Sequence, residues 1–181
     1  MNAPDLKLLH EHLPLITLTD RPGFIAGAIT GRTNGFYNHV MWAHDVFLGQ
    51  VRVASQDGLL RDKALDEYLK KCRIKFIRNK NWTTAERRAL LVYIKQQLDL
   101  PVWKRLYDIR GVWGQLFGLR WMNIPGLRYC SEFVGDGLKQ VEPSFQFKHP
   151  TPADINRWCK DRPEMVTVAK WDPDEQGLIK Y

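Results

Sequence analysis

The segment Arg128-Tyr-Cys-Ser-Glu-Phe-Val134 constrains this chain more than any other, because it opens a helix with an apolar stripe. Phe133, Val134, Leu138 and Val141 recur at helical spacing and must be buried against a second layer. Cys130 stands at the start of that helix. There the unpaired backbone N–H groups and the macrodipole favour an anion, which is expected to lower a thiol's pKa and to offer donors to an oxyanion. A cysteine nucleophile needs a base, and far upstream Phe36-Tyr-Asn-His-Val-Met-Trp42 supplies His39. Each residue alone has a plainer reading: free cysteine is among the most buried residue types, and a single histidine is most often a core or surface residue. The pair is what points to chemistry.

Length and composition bound the rest. A chain of 181 residues, 44% hydrophobic, can bury one substantial core, so a single domain over 1–181 is expected. No run of 18 apolar residues is present, and Met1 to His12 lacks the basic and apolar regions of a secretory leader. The expected location is therefore the cytoplasm, or a phage particle that delivers the protein. Cys72, Cys130 and Cys159 are odd in number and widely spaced, which argues against a disulfide framework and a zinc ribbon. His10 and His12 form a His-Glu-His without further ligands, so no metal and no cofactor is expected. The net charge of +7 suits an anionic neighbourhood, but no nucleic-acid motif organises the basic residues. They read as a solvated surface, and a nucleic-acid partner is not expected.

Leu13 to Thr19 reads as a strand or extended segment, Asp20-Arg-Pro-Gly23 as a turn, and Phe24 to Ile29 as a short helix stopping at Gly31. Asn38 to His44 and Gly49 to Ala54 read as an antiparallel pair. On that strand His39 and His44 fall at opposite parity and face opposite sides. Asp62 is placed to cap a helix carrying Leu65, Leu69 and Cys72, followed by a strand over Arg73 to Arg78. Thr83 and Glu86 form a capping box for a helix from Thr84 to Leu100, which Pro101 ends. The aromatic stretch over 102–127 reads as a partly helical insertion wrapped over the core. Thr151-Pro-Ala-Asp154 starts a further helix, Met165 to Ala169 pairs one more strand, and the tail then frays.

Taken in order, the small apolar segment, the Gly-containing loop, aromatic-x-His-Val at a strand start, the capped helix and Tyr-Cys-Ser-Glu-Phe-Val carry a resemblance. The chain resembles the circularly permuted papain-like cysteine hydrolases of the NlpC/P60 superfamily, in the branch of YiiX- and YebB-like amidases, over about 13–158. In that branch the histidine precedes the cysteine. The resemblance implies an α+β fold in which an antiparallel sheet bearing the histidine packs against helices, including the nucleophile helix. It makes Cys130 the nucleophile and His39 the general base of an acyl-enzyme reaction on an amide or ester.

The residue that would orient the imidazole is where this sequence departs from those hydrolases. They place a Glu or other polar residue on the next strand, and here that stretch reads Val53-Ala-Ser-Gln-Asp-Gly58. Gln56 or Ser55 is left to hold the ring, with Asp57 a candidate if the register slips. The Ser131 backbone N–H is the expected oxyanion donor, and Tyr129 either adds a hydroxyl or packs. Trp42, Trp113 and Trp121 are candidate substrate-binding aromatics, although tryptophans fill cores and protein interfaces as readily. Two functions follow. The first is a cysteine peptidase or amidase acting on peptidoglycan peptides or N-acyl amides. The second is a non-catalytic structural or binding component of a larger assembly, such as a bacteriophage particle, that keeps the hydrolase fold.

Overall fold

The computed structural model describes residues 9–22, 36–111, 114, 126–174 and 177–180. Among the described residues seven strands form one antiparallel sheet: β1 (Leu15–Thr19), β2 (His39–Phe47), β3 (Gln50–Gln56), β4 (Leu60–Ala64), β5 (Ile74–Asn79), β6 (Met165–Asp172) and β7 (Gly177–Lys180). Their order is β4-β3-β2-β1-β5-β6-β7. β1 lies at the centre and is buried at every position, so Thr17 and Thr19 accompany Leu15, Ile16 and Leu18 inside. Such a strand has a core on both faces, which suits a continuous apolar run better than alternation.

The helices that build the layers around the sheet are α1 (Asp66–Leu69), α2 (Thr84–Leu98), α3 (Cys130–Val141) and α4 (Pro152–Lys160). The larger core gathers Leu90 and Ile94 of α2, Phe133, Val134 and Leu138 of α3, and Ile155 and Trp158 of α4 against Leu18, Val40 and Trp42 of the sheet. The second core, on the other face, packs Leu9, Tyr68, Leu69 and Cys72 against Leu15, Met41, Val53 and Phe76. The chain is thus a mixed α+β protein with a helical layer on one side of an antiparallel sheet and short elements on the other.

Local chemistry explains the helix starts. The Thr83 side chain accepts from the Glu86 N–H at 3.2 Å while Glu86 accepts from the Thr83 N–H at 2.7 Å. Thr151 and Asp154 repeat the device at 3.0 and 2.9 Å, with Pro152 at the first helical position. An N-cap of this kind is worth about 1 kcal/mol.

Two readings of the sequence are corrected here. Asp62 is not a helix cap: it lies in β4 opposite Ala54 and pairs with Arg52 at 3.0 Å. The turn at Gly58, with φ of +99°, sends the chain back along β3, so the expected helix is cut down to α1. The tail does not simply fray, because β7 pairs with β6 from Asp172↔Gly177 to Ala169↔Lys180. The helix expected over Phe24 to Ile29 lies outside the described residues.

Candidate active site

Helix α3 reaches its N-terminus at the sheet. Tyr129 precedes it in extended conformation, and its N–H is met by the Glu132 carboxylate at 3.4 Å. Cys130 is buried, and the backbone N–H groups of Val40 and Ser131 and the hydroxyl of Tyr107 lie near its sulfur. Val40 adjoins His39 in β2, so the helix start is docked one residue from the histidine.

Tyr107 was not singled out by the sequence. Its N–H donates to Gly58 O at 3.0 Å, and the next residue, Asp108, donates to Arg128 O at 3.0 Å. The segment is thereby pinned between the β3–β4 turn and the approach to α3. That pinning carries the Tyr107 ring to Cys130. An isolated tyrosine in an aromatic stretch gives no sequence signal for this role, which depends on a pairing between distant segments.

Along β2, Val40 and Trp42 belong to the core that contains Cys130, whereas Met41 and Ala43 belong to the second core. His39 shares the parity of Met41. Its ring stacks on Tyr68, with centroids 6.3 Å apart and planes 10° from parallel, and its Nε2 lies 2.9 Å from Ser55 Oγ. The Tyr68 hydroxyl sits 2.7 Å from the same Ser55 oxygen and 3.1 Å from Asp57 Oδ2. Asp57 also accepts from Arg21 at 2.7 Å and from Lys63 at 3.0 Å. A polar string therefore runs from the imidazole through two hydroxyls to an ion-paired carboxylate.

The two central groups are both held neutral. Burial, followed by the Arg21 guanidinium, pushes the His39 pKa down to about 3, and Asp57 only partly opposes them. Burial pushes the Cys130 thiol up, against the N–H groups of Val40 and Ser131 and the Tyr107 hydroxyl. The lowered thiol pKa expected from the helix terminus is thus corrected: desolvation of a fully enclosed sulfur outweighs the dipole and its donors. Among the described residues no hydrogen bond joins Cys130 to His39; they are neighbours across the Val40 amide.

The remaining candidates fall as follows. Of the three proposed ring holders, Ser55 meets His39, and Asp57 meets the Tyr68 hydroxyl rather than the ring. Gln56 has the opposite parity, and its Nε2 donates to Arg105 O at 2.9 Å, so it does not touch the imidazole. The Ser131 hydroxyl donates to Pro150 O at 2.6 Å, which leaves only its backbone N–H for the sulfur. Tyr129 is buried with its hydroxyl on Glu132, which also meets His149 Nδ1 at 2.7 Å. Trp42 is corrected from a substrate-facing residue to a core residue, fully buried beside Trp82. Trp113 and Trp121 lie outside the described residues. His44 pairs with Asp62 at 3.3 Å, and His12 meets Arg78 at 2.8 Å.

No family model matches the chain, and no curated protein matches it. Among solved structures, the metalloprotein yiiX from Escherichia coli O157:H7, described as DUF1105, superposes with a TM-score of 0.58. The match covers 88% of this chain and 97% of that one at 15% identity. The fold of this chain is similar to that of yiiX. At that identity the likeness concerns architecture alone. The word metalloprotein is said of yiiX; among the described residues here, no group of three or more His, Cys, Asp or Glu side chains is placed to hold a metal ion. No helix among the described residues is long and apolar enough to cross a membrane.

Proposed function

We propose that this protein is a permuted papain-like, NlpC/P60-type cysteine hydrolase that cleaves an amide through an acyl-enzyme. The observation that carries the reading is Cys130, seated at a helix N-terminus with three N–H or O–H groups near its sulfur and docked against the residue that follows His39. A neutral thiol and a neutral imidazole favour attack coupled to proton transfer: sulfur bonds to the carbonyl carbon as the thiol proton passes, through one bridging water, to His39, whose ring faces the second core. The imidazolium then protonates the leaving amine, and water later releases the acid with His39 again as base. The Ser131 N–H and the Tyr107 hydroxyl, already turned to the sulfur, are suited to the oxyanion. Peptidoglycan peptides and N-acyl amides are the proposed substrates.

The test is amine release from cell-wall peptides and N-acyl amides by wild type and Cys130→Ala. Release that vanishes in Cys130→Ala while the melting curve is kept supports the reading, and equal release from both proteins overturns it. One observation favours a second reading, a non-catalytic component of an assembly such as a phage particle. With thiol and imidazole both neutral and not hydrogen-bonded to each other, the pair lacks the ready-made thiolate that an activated cysteine often has.

A further inference from the structure

We infer that Tyr68 and Asp57 are positioning residues that fix the tautomer of His39 through Ser55, leaving Nδ1 as the basic nitrogen. This rests on the reading of His39 as a base. The Asp57 carboxylate only accepts, and it is anchored by Arg21 at 2.7 Å and Lys63 at 3.0 Å. Tyr68 has one proton and two neighbours, Ser55 Oγ at 2.7 Å and Asp57 Oδ2 at 3.1 Å. A hydrogen bond to an ionised acceptor is roughly twice as strong as a neutral one, so the tyrosine proton goes to Asp57.

The rest of the string then has one solution. The phenol oxygen, having given its proton away, accepts from the Ser55 hydroxyl. The serine oxygen, having given its own proton away, accepts from His39. At 2.9 Å the nitrogen that donates is Nε2, so the proton sits there and Nδ1 carries the lone pair. Stacking of the imidazole on the Tyr68 ring, with planes 10° apart, holds the same orientation. Arg21 and Lys63 also lie over that ring, at 5.7 and 6.0 Å, which ties the tyrosine to the ion pairs that hold Asp57. When His39 takes a proton, the new charge is linked through the string to a carboxylate, although among the described residues no carboxylate hydrogen-bonds the ring.

The experiment is nitrogen-15 NMR of the His39 ring at pH 7 in wild type, Tyr68→Phe and Ser55→Ala. Wild type is expected to show one form, protonated at Nε2. Tyr68→Phe removes the acceptor for the serine proton, so Ser55 can donate to Nε2, and the single form is expected to be lost to a mixture with protonated Nδ1. Ser55→Ala should shift the Nε2–H signal as it loses its acceptor, and this variant serves if Tyr68→Phe does not fold. A wild-type ring protonated at Nδ1, or a ring unchanged in a folded Tyr68→Phe or in Ser55→Ala, would overturn the inference. The ring reports its tautomer whether or not Cys130 reacts with any substrate, so this failure is distinguishable from failure of the hydrolase reading.

Discussion

A histidine kept neutral by burial must weaken the fold in acid, and His39→Gln isolates that effect. The folded pKa of about 3 lies below the ordinary value of 6.5. Between these values the unfolded chain binds a proton that the native state refuses, so stability is full above about pH 6.5 and falls with pH down to about 3. Each unit costs about 1.4 kcal/mol. From 6.5 to pH 4.5 the imidazole spans two units, so His39 alone should remove about 3 kcal/mol, a large share of the 5–15 kcal/mol typical of a domain. The assay is urea unfolding of wild type and His39→Gln at pH 7.5 and pH 4.5. Carboxylates that titrate in the same window do so in both proteins and cancel in the comparison. The loss on acidification should be smaller in His39→Gln by about 3 kcal/mol. Equal losses would refute the claim that His39 is enclosed and neutral.

Three further outcomes are expected. Glu142→Ala should destabilise the protein by about 2–5 kcal/mol in urea unfolding, because it leaves two buried donors, Asn79 Nδ2 and Trp82 Nε1, without the carboxylate they meet at 2.6 and 2.7 Å. Gly135→Ala places a Cβ 2.9 Å from Pro150 and 3.1 Å from Phe145; overpacking outweighs the better helix propensity, for a net loss of about 1–2 kcal/mol measured as a lower Tm. Tyr107→Phe removes a donor to the Cys130 sulfur, so the thiol pKa should rise further and iodoacetamide labelling at pH 8 should slow about tenfold.

What the sequence could disclose depended on how local each cause is. The capping boxes at Thr83 and Thr151 were legible because the partner stands three residues away and the geometry is closed within one turn. The stripe of α3 was legible for the same reason, and with it the position of Cys130. Asp62 misled because Leu65, Leu69 and Cys72 do share the second core, yet the turn at Gly58 spends the residues before them on β4. β7 escaped notice because four residues after a turn carry too little pattern to read, and pairing with β6 supplies what the segment lacks. Ser55 was one of three ring holders the sequence offered; parity excludes Gln56, since a strand turns successive side chains to opposite faces, and Asp57, past the end of β3, meets Tyr68 instead of the imidazole. Tyr68 and Tyr107 could not be read at all. Each acts through a hydroxyl delivered by tertiary pairing, and burial, which sets the protonation of Cys130 and His39, is likewise a property of the packed chain.

The central claim is that Cys130 attacks with His39 as its base. Mass spectrometry of the protein after exposure to an activated acyl ester, in wild type, His39→Ala and Cys130→Ala, tests it most directly. An acyl adduct is expected on Cys130 and none on Cys159, whose thiol burial pushes up to about 12. In His39→Ala the adduct should form about a hundredfold more slowly or worse, the lower range of a general base's contribution. An adduct that forms on Cys130 at the same rate without His39, or no adduct on Cys130 in the wild type, would contradict it.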